Sequence, residues 1–186
     1  MVSRTTFSWL QRALIACTLF FLCAVAAIFI AGLFLPGSVE VQRVVKLKLP
    51  QEELHPMLDD LERWREWTVW GDTDEPIILE YSDPSAGVGA WYSWRGDAIG
   101  AGRIEITASD PARGVWYDMT FSLEPYPMKG ALRYLPSDEG TELEWSLRGE
   151  LNGPLERALG PILKWRIGVD FDNNLKALTE LIEESE

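Results

Sequence analysis

The chain has 186 residues, of which 47% are hydrophobic, and its 29 acidic and 17 basic residues give a net charge of −12. The first 38 residues hold two arginines and no acid, so the rest carries 15 basic and 29 acidic residues, a balance of −14. This charge argues against nucleic acid or anionic lipid as the main partner of the C-terminal portion. Both cysteines, Cys17 and Cys23, lie in the N-terminal apolar segment. The remainder of the chain therefore holds no disulfide and no cysteine-ligated metal site.

An uncharged apolar segment covers residues 13–35. About 20 apolar residues suffice to cross a bilayer, whereas a cleavable signal has an apolar region of about 7–15 residues. The segment therefore predicts a retained transmembrane helix, with a cleaved signal and a buried core helix as the alternatives. Arg4 and Arg12 precede it, which favours a cytoplasmic N-terminus and a soluble domain on the extracytoplasmic side. The predicted organisation is a tail at 1–12, a single-pass transmembrane helix at 13–35, a hinge at 36–38 and one domain at 39–186.

The segment that follows the hinge has the period of β-strands. Residues 39–49 alternate between apolar and polar, which is typical of a half-buried strand. Pro50 and two glutamates open a short helix, and tryptophans follow it at positions 64, 67 and 70. Turn residues then separate six further predicted strands, at 77–82, 88–95, 101–109, 114–124, 128–135 and 141–151. Their short connections favour antiparallel pairing of neighbours.

The last stretch, residues 153–186, predicts a helix that Gly160–Pro161 interrupts. Its apolar residues fall three or four apart in two stripes, the spacing of a buried helix face. One stripe runs through Ile162, Trp165 and Val169, and the other through Ile167, Phe171, Leu175, Leu178 and Ile182. This helix is the one long element outside the apolar segment that can cover a sheet face. The predicted fold class is therefore α+β, with a curved antiparallel sheet of about seven strands around a long C-terminal helix.

Several segments of the sequence resemble those of a known superfamily. They are the strand leading into Leu49–Glu53, the run Leu58–Trp67, the run Tyr81–Pro84, and Gly87–Ala90 before the Trp91–Trp94 strand. In their order they are similar to the SRPBCC superfamily of START-like, helix-grip domains, and most closely to its polyketide cyclase/dehydrase and lipid transport branch. The resemblance covers about residues 39–184 and leaves the apolar segment outside. It implies the helix-grip fold and a ligand cavity between the sheet and the closing helix.

The alternation of the predicted strands indicates which side chains face that cavity. Aromatic and other apolar side chains with a few hydroxyls suit a hydrophobic or amphipathic ligand. Alternatively, the same rings simply fill the core, which is the commoner use of buried aromatic residues. The predicted ligand-binding residues are Trp67, Trp70, Tyr92, Trp94, Tyr117, Met119, Phe121, Trp145, Trp165, Val169 and Phe171.

The residues give little sign of catalysis. The one histidine, His55, lies beside Pro56 in the first short helix of the domain, with no cysteine or second histidine near it, and is predicted to be a surface residue. Gly87–Gly89 precedes a strand instead of a helix and is interpreted as a turn, not a phosphate loop. Arg166 and Asp170 are four residues apart on the closing helix and predict a surface ion pair. The sequence therefore predicts no metal, no cofactor and no assignable catalytic residue.

Three functions are compatible with these features. The preferred one is a membrane-anchored domain that binds or carries a hydrophobic small molecule or lipid without covalent chemistry. The second is an enzyme of the cyclase/dehydrase type, which requires a titratable group inside the cavity. The third is a stress-related interaction module with a filled core and an exposed apolar patch.

Overall fold

The computed structural model describes residues 4–68, 77–97, 100–121, 127–135 and 137–185, with side chains from Ser8 onward. Its helices are α1 (Arg4–Phe34), α2 (Gln51–Asp59), a 3-10 helix (Arg63–Glu66) and α3 (Pro154–Glu184). Its strands are β1 (Ser38–Leu47), β2 (Ile78–Tyr81), β3 (Trp91–Gly96), β4 (Gly100–Asp110), β5 (Gly114–Phe121), β6 (Met128–Leu135) and β7 (Thr141–Glu150). This order confirms the predicted strand, short helical pair, six strands and closing helix.

The chain forms two compact units. The first contains residues 1–38 and 151–161, and the second contains residues 39–150 and 162–186. The second unit holds the sheet and most of α3.

One seven-stranded sheet has the order β1-β7-β6-β5-β4-β3-β2. The pairs from β2 to β7 are all antiparallel and join strands that follow each other in the chain, as short connections require. The register of β4 against β5 shifts between Ile106 and Ala108, and a bulge of this kind bends a strand and increases its twist. The predicted α+β helix-grip fold is confirmed.

Alternation along the strands gives the sheet one buried face. On β5, Tyr117 and Met119 are buried, whereas the alternate residues Trp116 and Asp118 are half-buried. On β4, Ile104 and Ile106 are buried with the same two-residue spacing. Successive side chains of a strand point to opposite faces, so these residues lie on one surface. We call it the inner face.

The predicted interruption of the closing helix is wrong. α3 continues from Pro154 to Glu184 with Pro161 inside it. Proline removes its own N–H and with it one bond to the carbonyl four residues earlier. The other backbone bonds of the helix remain, and the burial of its later turns supplies stability that local propensity lacks.

Only one of the two predicted stripes of α3 is buried. In the stripe that begins at Ile167, Phe171, Leu175, Leu178 and Ile182 are buried and Ile167 itself is half-buried, which confirms the burial predicted for that stripe after its first residue. Ile162, Trp165 and Val169 are exposed, so the burial predicted for the stripe that these three residues form is wrong. The two stripes have the same period and similar apolarity, and only the position of the sheet decides which of them is covered.

Candidate functional site

Five aromatic rings fill the middle of the inner face. Trp64 and Trp67 come from the 3-10 helix and the residue after it, Tyr117 and Trp145 from the sheet, and Phe171 from α3. All five have at most 1% of their surface exposed. The rings of Trp145 and Phe171 stack with centroids 4.0 Å apart, and the tryptophan pairs lie 5.3–6.4 Å apart. We call these five residues the aromatic core.

Two of the tryptophan N–H groups in the aromatic core have hydrogen-bond partners. Trp145 Nε1 donates to the Tyr117 hydroxyl at 2.8 Å, and Trp64 Nε1 donates to the Leu58 carbonyl at 2.9 Å. Trp67 Nε1 is buried and has no acceptor among the described residues. A buried donor without an acceptor costs about 1–3 kcal/mol, so an oxygen from a water or a ligand would be favourable at this atom.

A second set of rings lies beside the aromatic core on strands β2 to β5. Tyr81, Tyr92, Trp94 and Phe121 follow one another with centroid distances of 5.6, 5.8 and 5.6 Å. Tyr92 is buried, Tyr81 and Trp94 are half-buried, and Phe121 is 37% exposed. We call these four residues the aromatic ladder. Unlike the aromatic core, it presents ring surface that no described side chain covers completely.

The strand backbone is shaped to hold these rings. Gly102 lies opposite Trp94 in the β3–β4 register, and a Cβ at Gly102 would meet the Trp94 ring at 2.2 Å. Gly130 lies opposite Tyr117 in the β5–β6 register, where a Cβ would meet the Tyr117 ring at 2.0 Å. Each ring therefore lies against a glycine of the neighbouring strand, a place where only hydrogen fits.

The tyrosines of the inner face are neutral phenols at neutral pH. Burial raises the pKa of Tyr92 and of Tyr117 far above the ordinary tyrosine value. Burial also raises the pKa of Tyr81, with the Arg65 charge acting in the opposite direction. Their hydroxyls can therefore donate and accept hydrogen bonds but do not act as bases near pH 7.

The structure brings most of the predicted ligand-binding residues together. Trp67, Tyr117, Trp145 and Phe171 belong to the aromatic core, and buried Met119 lies next to it on β5. Tyr92, Trp94 and Phe121 belong to the aromatic ladder.

Two of the other predicted ligand-binding residues are exposed. Trp165 is 67% exposed and Val169 is 37% exposed, so neither belongs to the packed interior. Trp70 lies outside the described residues.

Residues that were not among the predicted ligand-binding residues also pack at the inner face, among them Trp64, Tyr81 and Asn174. Trp64 is the first member of the tryptophan triplet, and its spacing of three from Trp67 is the signal that places both on one side of a short helix. Tyr81 lies opposite Tyr92 in the β2–β3 register, and the alternation of side chains along β2 is the signal that places it on the inner face. Asn174 is fully buried on α3, three residues after Phe171 and therefore on the same helix face.

The prediction of a surface position for His55 is wrong. Its exposed fraction is 9%, its Nδ1 lies 2.9 Å from the Tyr134 hydroxyl, and its Nε2 lies 3.3 Å from the Ser109 hydroxyl. The histidine is buried because α2 packs against the sheet with Leu54, Met57 and Leu58 beside it. The described residues contain no group of three histidine, cysteine, aspartate or glutamate side chains that could hold a metal ion.

Charged groups lie beside the aromatic rings: Arg43, on the buried face of β1, forms an ion pair with Asp172 of α3 at 2.6 Å. The predicted pair of Arg166 and Asp170 is present at 3.5 Å with the arginine largely exposed. An open hollow of about 310 Å³ lies over strands β2 to β5, and residues of the outer face, such as Glu80, Ser93 and Arg103, form most of its lining. Another of about 270 Å³ lies between β1 and α3. The aromatic rings of the inner face are suited to apolar contact and hydrogen bonding.

Comparison with known proteins agrees with this geometry. A family model described as "Polyketide cyclase / dehydrase and lipid transport" matches residues 38–183. No curated protein sequence gives a significant match.

Solved structures share the fold at low sequence identity. The chain is similar to a protein of unknown function, SA2116 from Staphylococcus aureus, with a TM-score of 0.64 at 11% identity, over 80% of this chain and 95% of that one. The Aha1 dimer from Colwellia psychrerythraea gives 0.57 at 13% identity, over 78% and 96%. Ara h 8.0201 gives 0.55 at 15% identity, over 80% and 99%. Identities this low show the fold alone.

Proposed function

We propose, from the premise that the chain belongs to the polyketide cyclase/dehydrase and lipid transport family, that it is a membrane-anchored binding or carrier domain for a hydrophobic small molecule or lipid. The observation that carries the proposal is the aromatic ladder on the inner face. Four connected rings, of which Phe121 is 37% exposed, form a surface that an apolar ligand can cover. Burial of such surface contributes about 25 cal/mol per Å².

The neighbouring polar groups narrow the class of ligand. Trp67 Nε1 is a buried donor without an acceptor among the described residues, and the buried phenol of Tyr92, whose pKa burial raises, is a neutral hydrogen-bonding group. Both favour a ligand that brings a carbonyl, hydroxyl or carboxyl oxygen next to an apolar body. Residues of the aromatic core then form the floor of the site, and the aromatic ladder provides its direct contacts.

The N-terminal helix supports the membrane location. Ser8–Phe34 contains an 18-residue stretch with a mean hydropathy of 2.8 and is long enough to cross a bilayer. A carrier fixed to a membrane is placed where hydrophobic ligands concentrate. We infer the extracytoplasmic side for the domain from Arg12 before the apolar segment.

A second candidate function is an interaction module without a ligand. The close stacking of Trp145 on Phe171, with centroids 4.0 Å apart, favours it because rings in such contact leave no space for a ligand between them. The two candidates differ in whether the aromatic ladder takes up a ligand saturably.

Photocrosslinking tests the proposal directly. The full chain is reconstituted in nanodiscs, loaded with a trace of a diazirine-bearing long-chain fatty acid, irradiated and mapped by peptide mass spectrometry. We expect crosslinks on β3 and β5 that excess unlabelled fatty acid suppresses, and crosslinks on α1 that it leaves unchanged because lipid surrounds that helix.

Two tryptophans on opposite faces of β3 provide a matched pair of variants. Trp94→Ala removes one ring of the aromatic ladder. Trp91→Ala removes a ring on the opposite face of the sheet, where the Arg103 guanidinium lies 4.3 Å from its centroid. The first variant is expected to lose the saturable crosslink and the second to keep it. Crosslinks confined to α1, or equal losses in both variants, would contradict a binding site on the inner face and favour the interaction module.

A further inference from the structure

The first compact unit joins the start of α3 to the end of α1. Gly32 is the one buried residue among residues 8–34 of the described chain, and a Cβ there would lie 1.8 Å from the Pro154 carbonyl oxygen. The Leu151 N–H donates to the Gly37 carbonyl at 2.9 Å. The backbones of the two segments are therefore in direct contact, without intervening side chains.

An arginine of α3 lies against this junction. Arg157 Nε donates to the Leu151 carbonyl at 3.2 Å, and its guanidinium lies 3.4 Å from the place that a Cβ on Gly37 would occupy. Glu156 accepts a hydrogen bond from the Asn152 N–H at 2.6 Å. The first turns of α3 are thus held by both backbone and side-chain bonds.

The length of α1 places the junction at the edge of a bilayer. The uncharged part of α1, residues 13–34, extends about 33 Å at 1.5 Å per residue, close to the hydrocarbon core of about 30 Å. The last turn of α1, which includes Gly32, therefore lies near the level of the lipid headgroups.

Two leucines of the same unit are exposed at this level. Leu155 is 59% exposed and Leu159 is 50% exposed. They lie one helical turn apart, so they form a single apolar patch on the first turns of α3. In water this patch would be uncovered, but at a membrane surface the acyl chains can cover it, as they cover the apolar face of an interfacial helix.

We propose that the first turns of α3, residues Pro154–Pro161, lie on the membrane surface and insert Leu155 and Leu159 among the lipid headgroups and upper acyl chains. The chain then contacts the bilayer twice, through the α1 span and through this patch. The inference rests on the membrane anchoring proposed above. Its consequence is that the junction, and not only the connecting residues 35–37, fixes the start of α3 at the membrane.

Site-directed spin labelling in phosphatidylcholine vesicles tests this placement. The full chain carries Cys17→Ser and Cys23→Ser, and single cysteines are introduced as Leu155→Cys or Leu159→Cys. Two reference positions are Val25→Cys in α1 and Val88→Cys, an exposed residue of the second unit. Oxygen concentrates in lipid and a nickel chelate in water, so the ratio of their collision rates with the label reports its environment.

The expected ratio at positions 155 and 159 is several-fold higher than at position 88 and approaches that at position 25. A high ratio at 25 together with values at 155 and 159 equal to that at 88 would overturn the interfacial patch and leave the anchor in place. A low ratio at position 25 would overturn both the interfacial patch and the membrane anchor, because α1 would then not be in lipid. Unchanged tryptophan emission of each labelled chain verifies that the exposed substitutions preserve the fold.

Discussion

Removal of the Phe171 ring tests whether α3 closes the sheet. Phe171 is fully buried and stacks on Trp145 at 4.0 Å. A buried Phe→Ala change costs about 3–5 kcal/mol through lost transfer energy and the cavity left behind. The aromatic pair contributes about 0.5–1.5 kcal/mol beyond its buried area, so the expected loss for Phe171→Ala lies in the upper half of the range for Phe→Ala, at about 4–5 kcal/mol.

Urea unfolding of the full chain in detergent, followed by tryptophan emission, measures this loss. With a slope of about 2 kcal/mol per molar urea, a 4 kcal/mol loss lowers the midpoint by about 2 M. Val169→Ala is the matched control, because Val169 lies two residues earlier on the same helix and is 37% exposed. It should cost less than about 1 kcal/mol. If Phe171→Ala cost no more than this control, the packing of α3 against the inner face would be refuted.

Two further predictions concern Tyr117. Gly130→Ala places a methyl group against the Tyr117 ring, where a Cβ would lie 2.0 Å away, and is expected to destabilise the fold by about 1–3 kcal/mol. Gly149→Ala meets the flexible end of a methionine at 2.8 Å and should cost less in the same urea assay; equal costs would contradict the tight fit of the ring. Burial raises the Tyr117 pKa above the ordinary value of 10.0, so the unfolded chain releases this proton at lower pH than the folded chain. The neutral Tyr117 phenol therefore stabilises the folded chain fully below pH 10. This stabilisation decreases by about 1.4 kcal/mol for each pH unit above 10. Tyr117→Phe should make the alkaline fall in unfolding free energy shallower, and an unchanged slope would contradict the burial of a neutral phenol.

The sequence alone determined the order and type of the elements. Alternation with period two marks β5 and β7 unambiguously, because side chains on opposite faces of a strand meet opposite environments. The spacing of three and four from Phe171 to Ile182 likewise marks a helix face. These patterns are local, so they can be detected without knowledge of what each face touches.

Which apolar residues are covered depends on contacts that form in the folded chain. Trp165 and Phe171 are both aromatic and lie on the same helix, yet one is 67% exposed and the other fully buried. His55 is polar and isolated in sequence, and its burial depends on Ser109 and Tyr134, which lie 54 and 79 residues away. Burial is a property of contacts between distant segments, and local period does not contain it. The division of the inner face into a packed core and an open ladder, and the junction of Gly32 with Pro154, follow from such contacts for the same reason.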